Sequence, residues 1–173
     1  MKEIELERTF LVKKIPDNLE NCKSKEIADI YIPKSSIHPN LRIRKNGDKY
    51  EITKKLCSEE DTTKYHEHTI TLTKEEFEDL SKVDGKKVRK IRYYYPYKDN
   101  IAEVGVFKDL LEGLVLVDFE FKNIEERDLF QIPDFCLAEV SHEEFLAGGM
   151  LAGKSYKDIE ADLERYKYQK LIF

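Results

Sequence analysis

Apolar and polar residues alternate with a period of two along most of the chain, a spacing that sends successive side chains to opposite faces of an extended backbone. The pattern predicts strands near 2–12, 25–33, 40–45, 49–56, 64–72, 87–95, 101–107, 114–122 and 136–140. Asn46-Gly47 falls between two of them and predicts a tight hairpin turn with positive φ angles. Helices are fewer. Thr73 with Glu76 makes a capping box for a short helix ending near Gly85, and Ser141 with Glu144 predicts another ahead of FLAGGMLAG. Ser155 with Asp158 opens a last helix over SYKDIEADLERYKYQKL, with Tyr156, Ile159, Leu163 and Tyr166 as its apolar stripe. Short strands with turns between them, without an internal repeat, read as a single mainly β (α+β) barrel or sandwich with the helices as peripheral covers.

The polar faces of these strands are sorted by sign. In the opening EIELERT, Glu3, Glu5, Glu7 and Thr9 share one face. Arg42 and Arg44 share a face in LRIR, Glu51, Thr53 and Lys55 share one in YEITKK, and Lys90 and Arg92 share one in VRKIRYYY. Asp118 and Glu120 lie opposite Val117, Phe119 and Phe121, while Glu103, Gly105 and Phe107 alternate in AEVGVF. One such strand alone reads as a solvated sheet face. Sorted together, with acids on the first and late strands and cations on the middle ones, they predict a shared interior if the sheet closes. Buried charge is too costly to leave unpaired, so that interior must hold water and ions. Mg²⁺ or Mn²⁺ on the carboxylates, bridging a polyphosphate held by guanidinium forks, meets both demands.

Composition narrows the partners. Charged residues make up 38% of the 173, yet 30 Lys and Arg face 35 Asp and Glu, so the excess is local rather than net. A net charge of -5 argues against nucleic acid or an anionic membrane as partner. Cys22, Cys57 and Cys136 form no CxxC, and no apolar run reaches membrane-spanning length, so a cytoplasmic protein without a signal peptide is expected. Nothing divides the chain, and 1–173 is expected to form one domain. His66-x-His68 lacks a third ligand nearby and reads as strand surface. RYYYPY reads as strand packing, and FLAGGMLAG lacks the P-loop GK[ST] and reads as a tight link.

The polar motifs occur in an order that resembles the CYTH superfamily, the triphosphate tunnel metalloenzymes. Glu5-Leu6-Glu7 before Phe10-Leu11-Val12 resembles its ExExK strand, Leu41 to Arg44 its RxR, Thr53 to Lys55 its TxK and Lys90 to Arg92 its KxR. Glu103 to Phe107 resembles ExDxF, Gly113 to Glu120 resembles GLxLxExE, and Glu139 to Ser141 resembles EVT. The match spans nearly the whole chain. It implies an antiparallel closed β-barrel or tunnel of about eight strands. It implies metal-dependent hydrolysis of a triphosphate, with inorganic tripolyphosphate first and a nucleoside or thiamine triphosphate next.

By the same resemblance Glu5, Glu7, Asp118 and Glu120 bind Mg²⁺ or Mn²⁺, and Arg42, Arg44, Lys55, Lys90 and Arg92 bind the triphosphate. Glu5, Glu7, Lys90 and Arg92 are the catalytic candidates, with Glu67, Glu103 and Glu139 as further lumen residues. The expected partner is a small-molecule triphosphate or polyphosphate, and a homodimer is left open. Two positions depart from the pattern: Thr9 stands where ExExK has its Lys, and Gly105 where the family commonly has Asp. Those departures motivate an alternative, a catalytically idle polyphosphate- or nucleotide-binding module. An adenylate cyclase making cyclic AMP is the alternative reaction on the same fold.

Overall fold

The computed structural model describes residues 6–57 and 65–173, without the side chains of 55–57 and 65–66. Nine strands form one sheet: β1 (Leu6–Val12), β2 (Ser24–Ile32), β3 (Leu41–Asn46), β4 (Lys49–Cys57), β5 (Tyr65–Leu72), β6 (Lys86–Tyr97), β7 (Asn100–Phe107), β8 (Val115–Phe121) and β9 (Cys136–Glu139). Their order is β5-β4-β3-β2-β6-β7-β8-β1-β9, and every neighbouring pair is antiparallel. The strand pattern of the sequence is met closely, because alternation survives wherever one face is buried.

The expected closed barrel is met only in part. The ladder ends at β5 and β9, which do not pair with each other among the described residues. Strand β9 is four residues long, and its chain leaves the sheet after Glu139 to run over the opening. There Gly149 packs against His38, where an added Cβ would lie 2.8 Å from the imidazole, and Gly148 packs against the Tyr31 hydroxyl.

The two faces of the sheet differ. The convex face buries Phe10, Val12, Ala102, Val104, Val106, Val115, Val117, Phe119 and Phe121 in one apolar core, with Phe130 stacked against Phe119. The concave face changes character along each strand. Leu11, Leu116 and Phe107 lie at one end, packed under Leu151, Tyr156, Ile159 and Leu163 of the C-terminal helices. Thr9 and Glu7, then Asp118 and Glu120, then Gly105 and Glu103 continue the same faces toward the other end, since i and i+2 share a side. The C-terminal segment therefore plugs the apolar end of the concavity and leaves the charged end open.

Four helices accompany the sheet among the described residues. The Thr73 capping box forms as expected and starts α1 (Lys74–Leu80), with Glu76 N–H donating to Thr73 Oγ1 at 3.2 Å and Thr73 N–H to Glu76 Oε2 at 2.7 Å. Helix α2 (Ile124–Leu129) was not expected, although Asn123 caps it by accepting from Glu126 N–H at 2.8 Å. No helix starts at Ser141, because its hydroxyl is taken: it accepts from Thr9 N–H at 3.0 Å and donates to Glu139 Oε1 at 2.8 Å. A 3₁₀ turn (Glu144–Leu146) and α3 (Gly148–Leu151) follow instead.

Helix α4 (Tyr156–Glu164) opens at Ser155 as expected but stops short of the tail, where Tyr168 turns back to accept from Val115 N–H and donate to Gly113 C=O. In the β3–β4 hairpin the turn is Gly47-Asp48 rather than Asn46-Gly47. Asn46 still pairs with Lys49, and only Gly47 takes positive φ. No helix among the described residues is long and apolar enough to cross a membrane.

Candidate functional site

The charged end of the concave face encloses a cavity of about 580 Å³. Strands β3 and β6 bring Arg42, Arg44, Lys90 and Arg92 to its wall, and β1 and β8 bring Glu7 and Asp118. These strands are far apart in sequence, and curvature of the sheet is what unites them. Thr53 lies on the same wall, fully buried and hydrogen-bonded to Thr69 across the β4–β5 pair at 3.0 Å.

The cations are held in different ways. Arg44 donates from Nε to Asp29 Oδ1 and from Nη2 to Asp29 Oδ2, both at 2.7 Å. Burial opposes the Arg44 charge, but the hydrogen bonds and charge of Asp29 outweigh it and raise the pKa above its ordinary value. Arg92 ion-pairs through Nη1 with Glu103, and its Nη2 lies 3.8 Å from Asp118 Oδ2. Arg42 reaches Glu51 at 4.0 Å. Nε of Arg42 and Nε of Arg92 are buried without a hydrogen-bond partner among the described residues.

Lys90 lies along Gly105, where an added Cβ would come 3.1 Å from its Cδ and 3.4 Å from Nζ, and its ammonium sits 5.4 Å from the centre of the Phe107 ring. Burial pushes the Lys90 ammonium below its ordinary pKa. Arg92 and Arg44 add to the shift, while Asp118 and Asp29 oppose it. Gly105 thus makes the space that Lys90 occupies.

The carboxylates form the opposite side. Thr9 is directly opposite Asp118 in the β1–β8 register, and Glu7 is opposite Glu120. Thr9 Oγ1 donates to Asp118 Oδ1 at 2.8 Å and lies 3.4 Å from Glu7 Oε1. Glu7 is reachable from solvent through the cavity mouth yet hemmed in by protein on its other sides. Burial, then the Asp118 charge, pushes its carboxyl up to about 7. Arg92 and Lys90 pull the other way, and Glu120 adds a smaller push. Burial likewise raises Glu103, against the pull of Arg92. Among the described residues no three His, Cys, Asp or Glu side chains converge closely enough to hold a metal by themselves.

The remaining sequence candidates are distributed differently. Glu5 and Glu3 lie outside the described residues, as does the side chain of Lys55, whose backbone pairs with Glu67. Glu67 is exposed on β5 and does not line the cavity. Glu120 is exposed on β8, two residues beyond Asp118, and is not among the residues lining the cavity. Glu139, expected in the lumen, instead forms a two-bond ion pair with Arg8, at 3.0 and 2.6 Å. Strand alternation carries Arg8 away from the Glu7 side, toward the C=O groups of Arg127 and Phe130.

Asp29, Tyr31, His38 and Glu143 line the cavity but were not among the sequence candidates. Asp29 was detectable: it is a single acid inside the apolar run IADIYI, on the same face as Ile27 and Tyr31. Tyr31 follows from the same alternation two residues on, whereas His38 and Glu143 depend on how segments outside the motifs fold over the mouth.

An antiparallel sheet with opposed cations and carboxylates on its concave face defines the class of protein with which this chain compares. The crystal structure of the inorganic triphosphatase NE1496 is similar to it at 28% identity and a TM-score of 0.67, over 88% of this chain and 97% of that one. A second structure, of the hypothetical protein NE1496, matches at 28% identity and a TM-score of 0.67, over 87% and 99% of the two chains. A scan of protein-family models and a search of curated proteins give no match. The likeness to NE1496, together with the motifs in family order on this sheet, supports an assignment to the CYTH superfamily.

Proposed function

We propose that the chain is a metal-dependent triphosphatase that splits a small-molecule triphosphate in the concave cavity, with inorganic tripolyphosphate as first substrate. One observation carries the reading: the four cations of β3 and β6 face the carboxylates of β1 and β8 across one cavity, with the buried Nε–H groups of Arg42 and Arg92 lacking a partner among the described residues. A polyphosphate supplies acceptor oxygens for those donors. The likeness to the inorganic triphosphatase NE1496 supports the same substrate class.

The carboxylates suit a hard divalent cation. Glu7 and Asp118 meet around one hydroxyl; burial and then the Asp118 charge raise Glu7 to about 7, and a cation relieves the repulsion between the two carboxylates. Mg²⁺ is commonly held by one or two carboxylates together with substrate phosphates, so a pair suffices where three do not converge. Asp118 and Glu7 would hold Mg²⁺ or Mn²⁺, with Glu120, and Glu5 by its motif position, nearby. Bound there, the ion supplies charge neutralisation at the phosphoryl oxygens.

The chain's own groups do the rest. Arg42 and Arg92 donate to nonbridging oxygens, and Asp29 holds Arg44 at a fixed angle beside them. Lys90 adds a cation in a low-dielectric niche, where it acts strongly on charge developing in the transition state. A carboxylate oxygen of Glu7 orients the attacking water. Water attacks the terminal phosphorus, the bridging P–O bond breaks, and phosphate and diphosphate leave.

The experiment is a panel of tripolyphosphate, ATP and thiamine triphosphate with Mg²⁺ and with Mn²⁺, products separated by ion exchange. Phosphate release lost in Glu7→Ala is expected. Cyclic AMP with pyrophosphate from ATP would instead identify a cyclase, and binding without turnover of any substrate would identify an idle module.

A further inference from the structure

Thr9 has a definite place in the carboxylate pair. It sits opposite Asp118 in the β1–β8 register, so its side chain leaves the sheet beside that of Asp118 on the concave face. Its hydroxyl donates its one proton to Asp118 Oδ1 at 2.8 Å and stands 3.4 Å from Glu7 Oε1. The backbone is pinned as well, since Thr9 N–H donates to Ser141 Oγ at 3.0 Å and Thr9 C=O accepts from Val140 N–H at 2.8 Å. A β-branched side chain in a strand has few χ1 rotamers, so the hydroxyl is stiffly aimed. Asp118 is consequently held at one oxygen by Thr9, while its Oδ2 faces Arg92 at 3.8 Å.

We propose that Thr9 is a positioning residue for a divalent cation: its hydroxyl fixes the rotamer of Asp118 without placing a further positive charge beside the Glu7–Asp118 pair. The proposal rests on the reading that Glu7 and Asp118 hold such a cation. A neutral donor orients a carboxylate without competing for it, whereas an ammonium at the same position neutralises one of the two charges that attract the ion. The departure from the motif lysine then strengthens cation binding rather than disabling the site.

The test measures Mn²⁺ binding to the substrate-free protein by loss of the free-ion EPR signal. Wild type is compared with Thr9→Ser, Thr9→Val, Thr9→Lys and Asp118→Asn, each checked for folding by its melting curve. Thr9→Ser, which keeps the hydroxyl, is expected to bind like wild type. Thr9→Val, nearly the same shape without the donor, is expected to bind about tenfold more weakly, and Thr9→Lys at least as weakly. Wild-type affinity in Thr9→Val, or tighter binding in Thr9→Lys, overturns the proposal. Should wild type bind no Mn²⁺, or Asp118→Asn bind it undiminished, the metal-site reading itself fails. The Ser and Lys variants keep the test decisive if the valine protein does not fold.

Discussion

Asp29 and Arg44 form a two-bond ion pair inside the cavity wall, with both hydrogen bonds at 2.7 Å and with side chains only 6% and 18% exposed. Each oxygen of Asp29 accepts one of these bonds, and the guanidinium plane is fixed. Removing one member of a buried pair strands the other charge. Asp29→Ala is therefore expected to cost about 3–5 kcal/mol of stability, read as a lower midpoint in urea unfolding. Double replacement of Asp29 and Arg44 by apolar residues should recover most of that loss while still abolishing the Arg44 contribution to substrate affinity.

Gly105 explains its own departure from the motif. A Cβ there would press on Lys90 at 3.1 Å from Cδ, so even in Gly105→Ala the Lys90 side chain must give by a few tenths of an ångström. Misplacing a catalytic group by about an ångström can cost up to about 100-fold in rate. A drop of between about 10- and 100-fold in kcat/KM for tripolyphosphate is expected, with little change in melting temperature. An unchanged kcat/KM would remove Lys90 from the proposed machinery or show that the niche relaxes freely.

Glu7 gives the pH dependence. Its folded pKa, near 7, is raised from an ordinary 4.5, so in the metal-free protein its contribution to stability is complete below about 4.5 and is lost as pH rises through 7. A divalent cation needs the ionised form, so binding displaces a proton. From a pKa of about 7, Mn²⁺ affinity is expected to be about tenfold weaker at pH 6 than at pH 8. The same titration on Glu7→Gln should be weak and nearly flat over that range.

Much of this was legible in the sequence because strand alternation is a local signal. All nine strands are recognisable in it, and Arg42, Arg44, Lys90, Arg92, Glu7 and Asp118 meet because alternation puts them on one face of a curved sheet. Glu139 pairs with Arg8 and is not among the residues lining the main cavity, a placement that strand parity alone does not give. Ser141 imitates a helix cap in sequence, but a strand partner, Thr9 N–H, claims its oxygen. Asp29 belongs to no motif, although a lone acid in an apolar run is itself a signal of a buried counter-ion. Closure over the mouth depends on long-range packing that no window of sequence contains.

The segment crossing the mouth has its own test. At Gly148 a Cβ would lie 2.5 Å from the Tyr31 hydroxyl, too close for any side chain without movement. Gly148→Ala is expected to lose about 1–3 kcal/mol from overpacking. Hydrogen exchange should speed up around 140–151 in that variant and not in the convex-face core.

The most direct test of the central claim is phosphate release from tripolyphosphate by the wild-type protein, with Mg²⁺ or Mn²⁺ and again with excess EDTA, beside an Arg92→Ala control. Metal-dependent release that EDTA stops and Arg92→Ala reduces by at least about 100-fold is the expected result. Undiminished release in EDTA, or no release with either metal, would contradict the account.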